Sequence, residues 1–182
     1  MQKPQSLKVQ LNLPCVGKIE GTWEVDENDK KAAWEMYVEL ITRISVAKLR
    51  PEEGLLREAL SSLYTLFETT RNILKNYGPS IAQPKGNGKL SFGYLAVTIL
   101  NVVLRPVLAK WHPLLLDYEN KRHDSTTSTL EREKQWDKYE ELRQVLNETR
   151  ESLIEYANLL SDVAGVPSLI LDNNEMNMEK SI

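Results

Sequence analysis

The stretch from Ser91 to Leu104, fourteen residues without a charge, constrains the fold more than any other feature. It lies within a longer apolar segment, 91–118, where Leu95, Val97, Ile99, Leu100, Val102, Val103, Leu104, Val107, Leu108 and Leu114 to Leu116 leave almost no polar face. A helix that is apolar all round is either the centre of a bundle or a membrane span. Spanning takes roughly 20 apolar residues, and runs of about 10–14 belong more often to buried helices. Arg105 and Lys110 interrupt the run. Residues 91–118 are therefore read as a buried central helix, with membrane insertion as the rival. Pro106 and Pro113 each remove a backbone donor and are expected to kink it.

Around that segment the sequence offers one hairpin and three more helices. Over 6–25 the apolar residues alternate: Leu7, Val9, Leu11 and Leu13 in one arm, Ile19, Gly21, Trp23 and Val25 in the other. Period two puts each row on one face of a strand, and Pro14 to Gly17 supplies the turn. The period then changes. Asp26 to Asp29 offers N-cap oxygens and early negative charge. Ala33, Trp34, Tyr37, Leu40, Ile41 and Ile44 follow at helical spacing, which predicts a helix over 27–48 carrying a Glu39–Arg43 pair. Pro51, Glu52 and Glu53 open a second helix, 51–77, with a stripe from Leu55 through Leu60, Tyr64 and Phe67 to Leu74; Gly78 and Pro79 stop it. Residues 79–90 read as a loop. The last helix is expected over 129–164, roughly 36 residues and ~54 Å long. Ser128 and Glu131 make its capping box. Trp136, Tyr139, Leu142, Leu146, Thr149, Leu153, Tyr156, Leu160 and Val163 recur every three or four residues, close to a coiled-coil seam. Gly165 and Pro167 end it, and 168–182 is a tail.

A single domain of 182 residues accommodates these elements. The expected fold is mainly α, of the α+β class: an N-terminal β-hairpin packed on a four-helix, largely antiparallel bundle. Apolar residues at 41% and charged residues at 27% exclude a disordered or low-complexity chain. The one cysteine, Cys15, excludes a disulfide scaffold and a multi-cysteine metal site. With 23 basic against 26 acidic residues there is no global basic surface for nucleic acid. The polar start, Met1 to Ser6, has no apolar run behind it, so no signal peptide is expected and the cytoplasm is the default compartment.

Few residues carry chemistry. Gly86-Asn-Gly88-Lys89-Leu-Ser91 superficially resembles a phosphate loop, but Gln83 holds the first glycine position and Leu90 separates Lys89 from Ser91. Neither His112 nor His123 belongs to a metal-binding spacing, and no catalytic set, metal or cofactor is expected. Thr98, Asn101 and Arg105 fall on one face of the apolar helix. Inside a bundle Arg105 needs a carboxylate, with Glu39, Glu68 and Glu148 as candidates. Asn101, Arg105 and His112 are the candidate ligand-binding residues. Trp136 and Tyr139 lie where the long last helix should overhang the others, which makes them candidates for a partner interface.

The segments Ala32 to Ile44, Gly54 to Tyr64 and Leu104 to Leu115 resemble a family of small uncharacterised bacterial helical proteins over nearly the whole chain, hairpin included. The resemblance implies an association with multi-gene bacterial conflict or antiphage loci and brings no catalytic residue. The reading that follows is a non-enzymatic interaction, regulatory or scaffolding subunit with a protein partner or self-association. The alternatives are a membrane-acting effector that inserts 91–118, and a small-ligand sensor or enzyme built on Asn101, Arg105 and His112.

Overall fold

Alternation of period two closes the hairpin as expected. Strand β1, Gln5–Leu13, pairs antiparallel with β2, Gly17–Val25, in a register that sets Leu11 opposite Ile19 and Leu7 opposite Trp23. The computed structural model describes residues 5–14, 17–47, 50, 53–121 and 126–170. Cys15, Pro51, Glu52, His123 and the tail from 171 onward lie outside the described residues. Val9, Leu11, Leu13, Trp23 and Val25 point into the core, while Lys8, Gln10 and Asn12 stay in water. A third strand, β3, Gly86–Asn87, extends the sheet on the β2 side, so the 79–90 segment is more than a loop. Leu90 fills the space over Gly21, where an added Cβ would meet the Leu90 methyl at 2.6 Å. The alternating arm needs glycine there for that reason.

The chain is mainly helical, α+β, with five helices rather than four. Helix α1, Glu27–Ile41, starts with Asp26 as its cap and Asp29 completing a capping box. It ends seven residues before the predicted boundary at 48. Thr42 turns its hydroxyl back to the Val38 carbonyl at 2.7 Å, and Arg43 leaves the axis to hold the Ser62 carbonyl and the Thr65 and Thr69 hydroxyls on the next helix. The expected Glu39–Arg43 pair is present at 2.7 Å. Asp29 is fully buried; Lys85 reaches it at 2.8 Å and Asp26 at 2.6 Å, which ties the β3 segment to the start of α1. Burial pushes the Asp29 carboxyl above its ordinary range, against the pull of Lys85.

Helix α2, Leu56–Tyr77, begins later than the expected 51. Gly54 adopts a left-handed φ of 74°, which no continuing helix tolerates. Its cap, Leu55, has no side-chain oxygen to offer. Instead the Glu133 carboxylate, from the far end of the chain, accepts from the Leu56 and Arg57 amides at 2.8 and 3.2 Å. Gly78 and Pro79 stop α2 as expected.

Helix α3 runs unbroken over Phe92–Glu119, with Ser91 as its cap. The Pro106 kink is replaced by a π-helical stretch, Ile99–Leu104. Widening the turn lets the Arg105 amide bond to the Leu100 carbonyl, which absorbs the donor that proline lacks. The helix is not central, because only half of its most apolar window is buried. Leu95, Ile99, Leu104, Leu108, Trp111 and Leu115 face the core. The opposite side is at the surface.

The expected 129–164 helix is two: α4, Thr129–Lys134, with the Ser128–Glu131 capping box, and α5, Tyr139–Ala164, ended by Gly165. Tight turns from Glu133 to Trp136 and from Trp136 to Tyr139 separate them. The break lets the Trp136 ring enter the core beside Trp111, edge-on at 6.1 Å, and Tyr118, stacked at 5.5 Å. The expected seam on α5 is buried from Leu142 through Leu153, Tyr156 and Leu160 to Val163. Helix α5 packs mainly on α1, with β1 against it.

Candidate functional site

Helices α2 and α3 lie antiparallel, and their facing side chains pair in order. Arg57 meets Glu119, Tyr64 meets His112, and Phe67 meets Arg105. The polar residues of this seam recur every seven positions on both helices: Arg57, Tyr64 and Arg71 on one, Arg105, His112 and Glu119 on the other. Seven residues are about two helical turns, so each set stays on one side of its helix. Between them lies a groove of about 590 Å³ lined by Tyr64, Phe67, Arg71, Arg105, Leu108, Ala109 and His112.

The seam has two closed rungs. At one end Glu119 takes a bidentate grip on Arg57, from Nε at 3.0 and 3.1 Å and from Nη2 at 2.7 Å. Arg57 Nη1 lies 2.8 Å from His112 Nδ1. Guanidinium has only donors, so Nδ1 accepts, and the neutral ring carries its proton on Nε2. That nitrogen is buried, with the Leu60 backbone carbonyl as the acceptor beside it. Burial first, then the Arg57 charge, holds the imidazole below its ordinary value of 6.5. The rings of His112 and Tyr64 are perpendicular with centroids 5.9 Å apart, and Tyr64 is 63% exposed.

The third rung is open. Asn101 Oδ1 receives both Nε and Nη2 of Arg105, at 3.0 and 2.8 Å, and the guanidinium lies over the Phe67 ring at 5.4 Å. Arg71 enters the same end of the groove. Among the described residues no carboxylate stands in ion-pair range of either guanidinium. The carboxylate expected for Arg105 from Glu39, Glu68 or Glu148 is therefore absent. The reason is the orientation of α3: Arg105 and Asn101 are exposed, so water replaces the salt bridge that a core position would require. Thr98 bonds its own Tyr94 carbonyl and takes no part. Of the three candidate ligand residues, Arg105 and His112 line one groove and Asn101 orients Arg105.

Trp136 and Tyr139 are corrected from interface to core. They are 7% and 5% exposed. The overhang they were assigned to does not exist, because the helix ends at Lys134 and Glu133 ties that short helix to the start of α2. Tyr118 holds the turn from α3 by donating its hydroxyl to the Arg132 carbonyl. A second cavity, about 70 Å³, lies between residues 44–47, residues 54–59 and α5; Ser45, Arg143, Asn147 and Arg150 form its polar lining, and Arg143 is committed to the Arg50 and Glu53 carbonyls. Among the described residues no group of three His, Cys, Asp or Glu side chains gathers as metal ligands would.

Spacing alone assigned Tyr64 and Phe67 to the buried stripe of α2 and singled out neither Arg71 nor Glu133. The seven-residue polar repeat on two neighbouring helices is the signal that was available for the groove. Glu133 had none, because its role depends on amides 76 and 77 residues away. No known family, curated protein or solved structure matches the chain.

Proposed function

We propose that this chain is a non-enzymatic interaction module, a regulatory or scaffolding subunit that takes an amphipathic helix of a partner protein on the outer face of α3. The observation that carries the reading is the character of that face. Tyr94, Val97 and Leu116 are each about half exposed, Pro106, Ala109 and Pro113 lie between them, and no charge occurs before Arg105. A surface helix normally turns charged residues to water. An apolar outer face rimmed by Arg105, Lys110 and Asp117 has the composition of an interface core with a polar rim. A subunit of this kind fits the multi-component bacterial complexes that the sequence resemblance implies.

Membrane insertion is the second reading, favoured by the length and hydropathy of Phe92–Glu119. Against it, insertion would pull Leu95, Ile99, Leu104, Trp111 and Leu115 out of the core they help to build. Two measurements separate the readings. A photo-crosslinker at Val97 in the native host should capture one defined protein or a second copy, and Val97→Asp should abolish that assembly while the melting temperature stays within about 2 °C, as for a surface change. The purified protein should stay at the bottom of a liposome flotation gradient. Flotation without a crosslink would transfer the face to the membrane reading, and a monomer with neither would remove both.

A further inference from the structure

We propose that the groove between α2 and α3 is a binding site for a small organic anion with an aromatic body, its anionic group held between Arg71 and Arg105 and its ring against Phe67 and Tyr64. The groove shares Arg105 and Ala109 with the edge of the outer face of α3, while Tyr94 and Val97 lie outside it. The argument starts from the register of the seam. Two of its three rungs are complementary, an ion pair at Arg57–Glu119 and an edge-on contact at Tyr64–His112. At the third rung Arg71 and Arg105 both line the groove, which places two cations in one site. An anion between them restores the pattern that the other rungs already have.

Arg105 is prepared for this. Asn101 fixes two of its nitrogens and Phe67 supports its plane, so little side-chain freedom remains to be lost when a ligand arrives. The remaining Nη1 and the fork of Arg71 supply donors with the planar geometry that carboxylate and phosphate oxygens accept. Beyond the anion the walls are rings. Tyr64 and Phe67 have centroids 6.2 Å apart and lie on the same side, while α3 contributes the short Ala109 and Leu108. Large rings on one wall and a small residue on the other leave a slot for a flat body. His112, held by Arg57, packs perpendicular to the Tyr64 ring at the next rung and lines the same groove. The volume, about 590 Å³, lies inside the range of about 300–1,000 Å³ typical of small-molecule sites.

Four probes divide the chemistry: phenyl phosphate, phenylacetate, inorganic phosphate and benzyl alcohol, titrated into the full chain by calorimetry with amide chemical shifts as a second readout. One of the two aryl anions should bind saturably and at least about tenfold more tightly than inorganic phosphate or benzyl alcohol, a difference of one decade in Kd. The tighter of the two identifies the head group. Arg71→Gln combined with Arg105→Gln should abolish binding, and Tyr64→Ala should weaken it by about tenfold while leaving the fold intact, since Tyr64 is an exposed side chain. Affinity in the wild-type protein should fall as sodium chloride rises, which tests the charge without any substitution. Failure of both aryl anions to saturate into the millimolar range, equal affinity for benzyl alcohol, or binding indifferent to salt and to the double substitution would each overturn the proposal.

Discussion

The cap on α2 gives the sharpest test of how distant parts of this chain hold one another. Glu133 is 2% exposed and its two oxygens accept from the Leu56 and Arg57 amides. Glu133→Ala leaves both amides without an acceptor. A hydrogen bond to a charged group contributes about 1.5–3 kcal/mol, and losing a helix N-cap costs about 0.5–2 kcal/mol. The two bonds share one carboxylate and do not add fully, so the expected loss is about 2–4 kcal/mol. For a chain of this length that lowers the melting temperature by about 5–15 °C. Glu133→Gln keeps the side-chain shape and one accepting oxygen, but its NH2 donor then faces the other backbone amide, so one of the two bonds is lost. Its cost should be about 1–3 kcal/mol, below that of the alanine variant. Thermal unfolding by circular dichroism measures the totals, and hydrogen exchange at residues 56 and 57 measures the cap itself. If Glu133→Ala melts within a degree of wild type and those two amides exchange no faster, the cap carries nothing and the account of why α2 starts at Leu56 is wrong.

Tyr156→Phe should stabilise the protein by about 1 kcal/mol, seen as a rise of about 2–4 °C in the melting temperature. Its hydroxyl is buried without a partner, and the adjacent cavity of about 10 Å³ is too small and too apolar to hold a water well; a destabilised variant would mean that the hydroxyl is bonded. His112 should make the fold acid-sensitive just below its ordinary value of 6.5, because the unfolded chain takes up the proton there while the folded imidazole, held lower, does not. Stability therefore falls as pH drops through that window, and His112→Gln should flatten the fall in urea melts at a series of pH values. Glu133 and Asp29, both raised, act with the opposite sign nearer to their own range, so an unchanged slope in the variant would leave the acid response to other groups.

What the sequence made legible follows from how local each signal is. The hairpin, the Asp26 and Ser128 caps, the Glu39–Arg43 pair and the stops at Gly78 and Gly165 depend on neighbours within a few residues, and all are present. The missed features depend on contacts that span the chain. β3 exists because Leu90 packs on Gly21 and Lys85 reaches Asp29. The break between α4 and α5 exists because Trp136 finds Trp111 and Tyr118, and because Glu133 finds the start of α2. The unbroken coiled-coil spacing from Trp136 to Val163 identified buried residues except for the half-buried Leu146, and it missed the backbone break joining them, since side-chain periodicity survives a tight turn of about one helical repeat. The candidate site divided in the same way. Arg105 and His112 were visible as odd polar residues on an apolar helix, whereas Arg71 and Tyr64 acquire their meaning only from the antiparallel register of α2 on α3.

That register also explains why α3 is so apolar. A helix with no polar face was assigned either to the middle of the bundle or to a bilayer; in the structure about half of the most apolar window of α3 is buried and the rest is at the surface. Its inner face meets the core through Leu95, Ile99, Leu104, Trp111 and Leu115, and its outer face presents Tyr94, Val97 and Leu116 to the surface. Core packing accounts for the first set only. Exposed side chains do not need to be apolar for the fold to stand, and an apolar helix face in water promotes association. Three of its polar residues, Arg105, His112 and Glu119, recur every seven positions and meet side chains of α2, whereas Lys110 and Asp117 are exposed elsewhere on the helix. Helix α3 thus presents a core face, a seam with α2 in which one cationic rung has no carboxylate, and an exposed face of Tyr94, Val97 and Leu116 that the proposed partner would cover.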